Sequence, residues 1–185
     1  MKTRLLGSVF TFIVILSSCD KAMMENQFLN DNRSEVGLTN GQVVLNFRAH
    51  LSGDQEVPPR ETLATGQAVF QLSKDGTELS YKLIVANLDN LSQAHIHVAA
   101  PGVNGLVVAW LYPSGPPAVL IPGTFSGVLN QGVITSDDLV GPLTGLDLSV
   151  LLGHITSGNT YVNVHTSQFP GGEIRGQIEG NTGEE

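Results

Sequence analysis

The sequence is nearly free of cysteine, with Cys19 alone in 185 residues. One thiol cannot form an intrachain disulfide, and it cannot supply the several thiolates of a structural zinc site. Positive charge is also scarce, since nine Lys and Arg stand against 17 Asp and Glu for a formal net charge of −8. Such a chain lacks the positive field that attracts phosphate backbones, so we expect no nucleic-acid partner.

Long apolar runs are absent as well. The longest, Leu5 to Leu16, has about twelve residues, whereas a helix needs about 20 to cross a bilayer. It follows a short basic start, Lys2 and Arg4, and it ends in small residues before Cys19. This order of basic, apolar and small residues is typical of a secretion signal, which we assign to residues 1–18.

The residues Leu16-Ser17-Ser18-Cys19 resemble the lipobox of bacterial lipoproteins. The resemblance implies cleavage before Cys19 and lipidation of its thiol, and several acyl chains on one residue anchor a protein to a membrane. We therefore expect an extracytoplasmic protein that is lipid-anchored to a bacterial membrane through Cys19. The alternative is an ordinary signal peptide followed by an unmodified cysteine.

The rest of the sequence divides into three segments. Residues 19–41 are polar, rich in Asn and without a sustained period, as in a flexible tether. Residues 42–179 alternate short stretches of Val, Ile, Leu, Phe and Thr with Gly, Pro, Asn and Asp, which is typical of antiparallel strands and turns. Residues 180–185 are predicted to be a frayed tail. The candidate strands are 42–52, 66–73, 78–87, 93–100, 105–112, 118–129, 160–166 and 172–178.

This pattern predicts an all-β fold, a Greek-key-like antiparallel β-sandwich with one short helix. The turn Lys74-Asp75-Gly76-Thr77 contains the Asp-Gly pair of a tight hairpin, so strands 66–73 and 78–87 should pair. Leu79, Tyr81, Leu83 and Val85 should then share one face. The helix should run from Leu146 or Asp147 to Ile155, because apolar residues recur there at helical spacing.

Three of the five histidines lie in candidate strands whose alternation fixes their direction. In Ala94-His95-Ile96-His97-Val98 the apolar residues share one face, so His95 and His97 project together from the other. In Tyr161-Val162-Asn163-Val164-His165 the valines take the core face, which leaves Tyr161, Asn163 and His165 on the outer, polar face. The same argument places Glu173, Arg175 and Gln177 on the polar face of the last strand.

If these three strands are neighbours, His95, His97 and His165 can meet, with Asn163, Glu173 and Arg175 around them. Neutral imidazole nitrogens in this number bind Zn²⁺ or copper. The alternative is that the histidines are polar residues facing water. His50 and His154 are interpreted as structural, the latter near a helix end where a protonated imidazole favours the helix dipole.

Several ordered blocks of the sequence resemble the CHRD domain, named for chordin. The resemblance spans about Val43 to Ile178 and implies an extracytoplasmic β-sandwich, without implying a bacterial activity. The blocks are Phe47–Gly53, Glu56-Val57-Pro58-Pro59, Thr65-Gly66, Ala94-His95-Ile96-His97 with Pro101-Gly102 and Asn104-Gly105, Tyr161–Thr166, and Pro170–Gln177.

A weaker likeness is to Cu/Zn superoxide dismutase, another Greek-key sandwich, in which a His-x-His strand and a later histidine hold copper. The matching positions are His95, His97 and His165. The sequence departs from that pattern because it has no structural disulfide and no later His-rich loop for a separate zinc set.

The sequence contains no Gly-x-Ser-x-Gly elbow and no Gly-rich phosphate loop, so no catalytic residue is predicted. We expect a membrane-tethered extracytoplasmic binding domain without enzymatic turnover, whose partner is an unidentified ligand or protein contacted through Tyr161, Asn163, Glu173 and Arg175. The alternative is a copper or zinc protein with a His95/His97/His165 site, resembling superoxide dismutase in its chemistry.

Overall fold

The computed structural model of the protein describes residues 46–180 and, for the backbone alone, residues 38–39 and 42–43. The predicted signal peptide, Cys19, most of the predicted tether and residues 181–185 lie outside the described residues. Within the described part of the chain, no helix is long and apolar enough to cross a membrane.

The described residues are mostly β-strand, which confirms the predicted all-β class, and they include one α-helix, α1 (Leu148–Thr156). The last strand includes Gly180, the first residue of the predicted tail, which pairs with Phe47 of the strand Asn46–Ser52. The strands are β1 (Leu38–Thr39), β2 (Gln42–Val43), β3 (Asn46–Ser52), β4 (Thr65–Leu72), β5 (Leu79–Val98), β6 (Leu106–Tyr112), β7 (Ile121–Ile134), β8 (Thr160–Thr166), β9 (Ile174–Gln177) and β10 (Glu179–Gly180).

All strand pairs are antiparallel, and five strands close on themselves in the order β3-β4-β5-β8-β9. The closure is a pairing of β9 with β3 at Ser52 and Arg175. The strands β6 and β7 also pair with β5, and β10 pairs with β3. The sheet is therefore closed and barrel-like, while the Greek-key sandwich order stays a prediction.

The prediction of separate strands 78–87 and 93–100 was wrong, because β5 runs unbroken through both. The polar residues between them suggested a turn, but Asn87 and Asn90 instead adopt positive φ values of 58° and 54° within the strand. Asn tolerates this left-handed conformation better than most residues. The register with β7 shifts at these points, so β5 passes through irregularities without leaving the sheet.

The β4–β5 hairpin forms as predicted, with Leu72 opposite Leu79 and Gly76 at a φ of 76°. The inward side chains of β5 join one apolar core with those of the neighbouring strands and of α1. Asp147 occupies the N-cap of α1 without a capping side-chain hydrogen bond. The predicted inward faces are confirmed, with buried Leu79, Tyr81, Leu83 and Val85 on β5 and Leu148, Leu151, Leu152 and Ile155 on α1.

Candidate functional site

The strands that carry the polar residues are direct neighbours in the order β6-β5-β8-β9. His95 lies opposite Asn163 on β8 and His97 lies opposite Tyr161, while His165 pairs with Gln93. Because alternate residues of a strand share a face, this register places the three histidines on one side of the sheet. The opposite side of the same strands belongs to the apolar core.

The three imidazoles form a compact group, the three-histidine cluster, of His95, His97 and His165. One ring nitrogen of each lies within 4.8 Å of those of the other two. The closest pair is His95 Nδ1 and His165 Nε2, which share a hydrogen bond of 3.1 Å that a bound metal would replace. Two nitrogens of a tetrahedral site with metal bonds of about 2.0 Å are about 3.3 Å apart, so this pair already has nearly the required spacing.

Backbone carbonyls orient two of the rings. His97 Nδ1 lies 3.0 Å from the carbonyl oxygen of Gly105, and His165 Nδ1 lies 3.0 Å from that of Pro170. A carbonyl oxygen only accepts, so each neutral ring carries its proton on Nδ1 and keeps the lone pair on Nε2. This backbone support of the second nitrogen is the usual arrangement around metal-binding histidines.

The alternative interpretation, in which the three histidines face water, is wrong. His95, His97 and His165 are only 3 %, 8 % and 6 % exposed, and every residue of β8 is buried. Alternation correctly predicts which way these side chains point, but it carries no information about what covers them. The cover comes from Trp110, whose ring meets His95 edge-on at 4.3 Å between centroids, and from the segment 99–105.

Arg175 fixes the segment 99–105 over the cluster. Its guanidinium donates to the carbonyl oxygen of Val103 at 2.8 Å, to that of Ala100 at 3.4 Å and to Asn104 Oδ1 at 3.3 Å. The same guanidinium lies 3.4 Å from the ring centroid of Tyr161, a cation–π contact. Burial lowers the pKa of Arg175 from its usual value. Its role is therefore to hold the cover in place.

Tyr161 connects this cover to the cluster. Its ring stacks on that of His97, with centroids 4.8 Å apart and planes 8° from parallel. Its hydroxyl accepts a hydrogen bond from the backbone N–H of Gly105, whose carbonyl in turn accepts from His97. A Cβ at Gly105 would overlap the carbonyl of Val98, so this close approach requires glycine.

Glu173 does not join the cluster in the way the sequence suggested. It is buried, and its two carboxylate oxygens accept hydrogen bonds from Thr62 Oγ1 at 2.6 Å and from Thr166 Oγ1 at 2.7 Å. These bonds tie β8 to the segment before β4. Asn163, in contrast, has its side chain beside His97, as predicted for a residue that surrounds the imidazoles.

Burial strongly disfavours protonation of the cluster. It lowers the pKa of His95 to about 3, with the neighbouring His165 and His97 adding to the effect. It also lowers the pKa of His165 to about 4 and lowers that of His97. All three rings are therefore neutral near pH 7, the state in which an imidazole binds a metal.

Several polar atoms around the cluster are buried without a hydrogen-bond partner: His95 Nε2, His97 Nε2, Asn163 Oδ1 and Glu56 Oε1. Buried polar atoms are almost always paired, so a group of unpaired ones marks a place for a water or an ion. The donors are neutral imidazoles, which suit copper and zinc. The residues present therefore fit a transition-metal ion.

Sequence reasoning missed four residues of this region: Glu56, Gly105, Trp110 and Gly172. Glu56, Gly105 and Gly172 were visible only as members of the CHRD-like blocks, and no local pattern indicates the place of Glu56 and Gly172 beside Asn163. The two remaining histidines lie elsewhere, since His50 is exposed on β3 and His154 lies in the last turn of α1. Among the described residues, the group that could hold a metal contains only His95, His97 and His165.

Comparison with known proteins identifies the family but not the activity. The model of the CHRD domain matches residues 47–178, well over half of the chain. No curated protein and no solved structure matched the chain. The matched range includes all three histidines of the cluster together with Glu56 and Arg175. The chain belongs to the CHRD-domain family.

Proposed function

We propose that this CHRD domain is a binding domain whose ligand is a copper or zinc ion held by His95, His97 and His165. One observation carries the proposal: three buried, neutral imidazoles present ring nitrogens within 4.8 Å of one another, and backbone carbonyls orient two of them. A metal ion would also satisfy His97 Nε2, which is otherwise buried without a hydrogen-bond partner.

The same burial favours binding over turnover. A catalytic metal keeps a coordination position open to water or substrate, whereas this cluster lies beneath Trp110 and the segment 99–105. Burial also counts against direct contact of a large partner with Tyr161, Asn163 or Arg175, the non-metal role considered from the sequence. Imidazole ligands bind Cu²⁺ more tightly than Zn²⁺ at equilibrium, so we expect Cu²⁺ to have the higher affinity.

The test is metal titration of the purified chain without a His tag. Trp110, the only tryptophan, contacts His95, so its fluorescence should be quenched by Cu²⁺ bound at the cluster. Replacement of His95, His97 or His165 by Ala should weaken binding about 100-fold or more. It should also remove the rise in Tm produced by the metal, since stabilisation follows affinity for the folded state.

The matched controls are His50→Ala and His154→Ala, which lie outside the cluster and should leave affinity unchanged. The proposal fails if the wild type binds neither Cu²⁺ nor Zn²⁺ with micromolar or better affinity at neutral pH. It also fails if tight binding survives the loss of His165.

We further propose that a lipid on Cys19 tethers the domain to the extracytoplasmic side of a bacterial membrane. The support is the lipobox-like run that ends at Cys19 and the polar tether that follows it. Replacing Cys19 by Ala should move the protein from the membrane fraction to the soluble extracytoplasmic fraction. Membrane association that persists in this variant would contradict the proposal.

A further inference from the structure

Glu56 is a buried carboxylate with few partners. It is only 4 % exposed, one oxygen accepts from the backbone N–H of Val57 at 3.2 Å, and the other, Oε1, has no hydrogen-bond partner. A buried carboxylate is costly unless it is paired. The positive charges of Arg175 and Arg60 offset only part of that cost, because burial still raises the pKa of Glu56. On the side of the cluster, Asn163 lies beside the carboxylate.

Asn163 lies between Glu56 and the three-histidine cluster. Its side chain contacts the carboxylate of Glu56 on one side and the ring of His97 on the other. Both Asn163 Oδ1 and His97 Nε2 are buried without a hydrogen-bond partner. Contacts between buried polar side chains thus lead from Glu56 through Asn163 to His97, one of the three histidines of the cluster.

Gly172 provides the room for these contacts. It has a φ of 122°, and a Cβ there would overlap Glu56 Oε1 and Asn163 Nδ2. The absence of a side chain therefore lets the carboxylate and the amide meet. Glycine is required both by the backbone conformation and by the contact.

On its other side, Glu56 lines a cavity of about 410 Å³. Exposed residues, among them Asp54, Pro59 and Pro101, form part of its wall, so the cavity communicates with solvent. Arg175 also lines it. A cation that enters this cavity meets the positive charge of Arg175, which the carboxylate of Glu56 offsets.

We propose that Glu56 is the entry residue of the metal site, which takes a divalent copper or zinc ion from this cavity and passes it along Asn163 to the histidines. The inference rests on the proposed metal-binding function. A single carboxylate is a weaker ligand for these ions than three imidazoles, so the ion moves on to the cluster. Glu56 then lies on the route to the site without belonging to the final ligand set.

A residue on the route changes both rates and leaves the equilibrium unchanged. Replacing Glu56 by Gln removes the charge at nearly constant shape. We expect the association rate of Cu²⁺ to fall by about tenfold, within the range produced by local electrostatic attraction. The dissociation rate should fall by the same factor, so Kd should stay within about twofold of the wild type.

The experiment is stopped-flow measurement of Trp110 quenching by Cu²⁺, with dissociation followed after addition of a chelator. The full chain is used without a His tag. Glu61→Gln is the matched control, because Glu61 is an exposed acid of the same segment and does not line the cavity. His165→Ala should abolish the saturable signal, which tests the metal site itself.

The outcomes separate the two proposals. Wild-type rates in Glu56→Gln, while His165→Ala still abolishes binding, would overturn the entry route and leave the metal site intact. Faster dissociation with weaker affinity would also overturn it, because it would make Glu56 a ligand. If the wild-type protein itself shows no saturable quenching of Trp110 by Cu²⁺, the metal site is refuted instead. If Glu56→Gln does not fold, Glu56→Asp replaces it: withdrawing the carboxylate from Asn163 should slow both rates, and unchanged rates would overturn the route.

Discussion

The two ends of β5 show how one strand serves two purposes. From Leu79 to Val85, apolar residues face the core, while Ser80 and Lys82 on the opposite face are exposed. From Ala94 to His97 both faces are buried. The apolar face lies in the core, and the polar face lies beneath the cover formed by Trp110 and the segment 99–105. Alternation along a strand therefore fixes the direction of a side chain, and the irregular segments decide whether it meets water.

The difference comes from the neighbours of each end. The first half of β5 lies between β4 and β7, and neither supplies a segment that folds over the outer face of Lys82. The second half lies between β6 and β8 and is covered by Trp110 and by the segment 99–105, which Arg175 holds. The candidate site exists because this cover removes the histidines from water.

The largest expected effect is on the free energy of unfolding, in the first half of β5, where only one face is buried. Leu83 is fully buried, so Leu83→Ala should lower the free energy of unfolding by about 3 to 5 kcal/mol. Urea denaturation measures the loss. Lys82→Ala, on the exposed face, should change it by less than about 0.5 kcal/mol. A similar loss of stability in both variants would show that both faces of this half of β5 are packed.

The second prediction concerns the second half of β5, where both faces are buried, and the pH dependence of stability that follows. The pKa of His95 is about 3 and that of His165 about 4 in the folded protein, against 6.5 for an ordinary imidazole. Below pH 6.5 the unfolded chain takes up protons that the folded protein does not. The stability present above pH 6.5 is therefore lost as the pH falls, by roughly 3 kcal/mol or more at pH 4 in the metal-free protein.

Urea titrations of the metal-free protein at pH 7, 6, 5 and 4 check this slope. His165→Gln should flatten it, and His50→Gln should not. Burial raises the pKa of Glu56, which favours the folded state as the pH falls and opposes the histidines, so Glu56→Gln should steepen the slope. A flat profile for the wild type would contradict the burial of neutral imidazoles.

The smallest expected effect concerns the cover itself. Arg175→Lys keeps the charge but loses the planar fork that reaches Val103, Ala100 and Asn104 together. Loosening of the cover by about 1 to 2 kcal/mol should speed hydrogen exchange of the Gly105 N–H by about five- to thirtyfold. Exchange in the β4–β5 hairpin should stay unchanged. Equal acceleration in both places would indicate global destabilisation instead of a loosened cover.

Much of the fold could be predicted because its signals are local. The hairpin, the helix and the inward faces follow from turn chemistry and periodicity, and β8 has the predicted bounds. Polar residues inside strands caused the errors. β7 extends to Ile134, beyond the predicted end at 129, because Asn130 donates to the carbonyl of Leu111 and to Tyr81, and Gly132 lies against the Tyr81 ring.

The site could be predicted only in part, for a related reason. The direction of His95, His97 and His165 follows from alternation, and the adjacency of their strands was a condition that the structure meets. The burial of the cluster and the position of Glu56 depend on turns and loops far apart in the chain. These segments have no period, so their contacts with the site are not encoded in any local pattern.

The pairing of β5 with β8 also has a kinetic consequence. His95 and His165 are separated by 70 residues, and β6, β7 and α1 lie between them. Contacts over such long loops form late, because the loss of chain entropy comes before the gain from contact. If the cluster is completed after the transition state for folding, a bound metal would slow unfolding while leaving the folding rate nearly unchanged. The ion would then act as a lock on a finished domain and not as a nucleus for its folding.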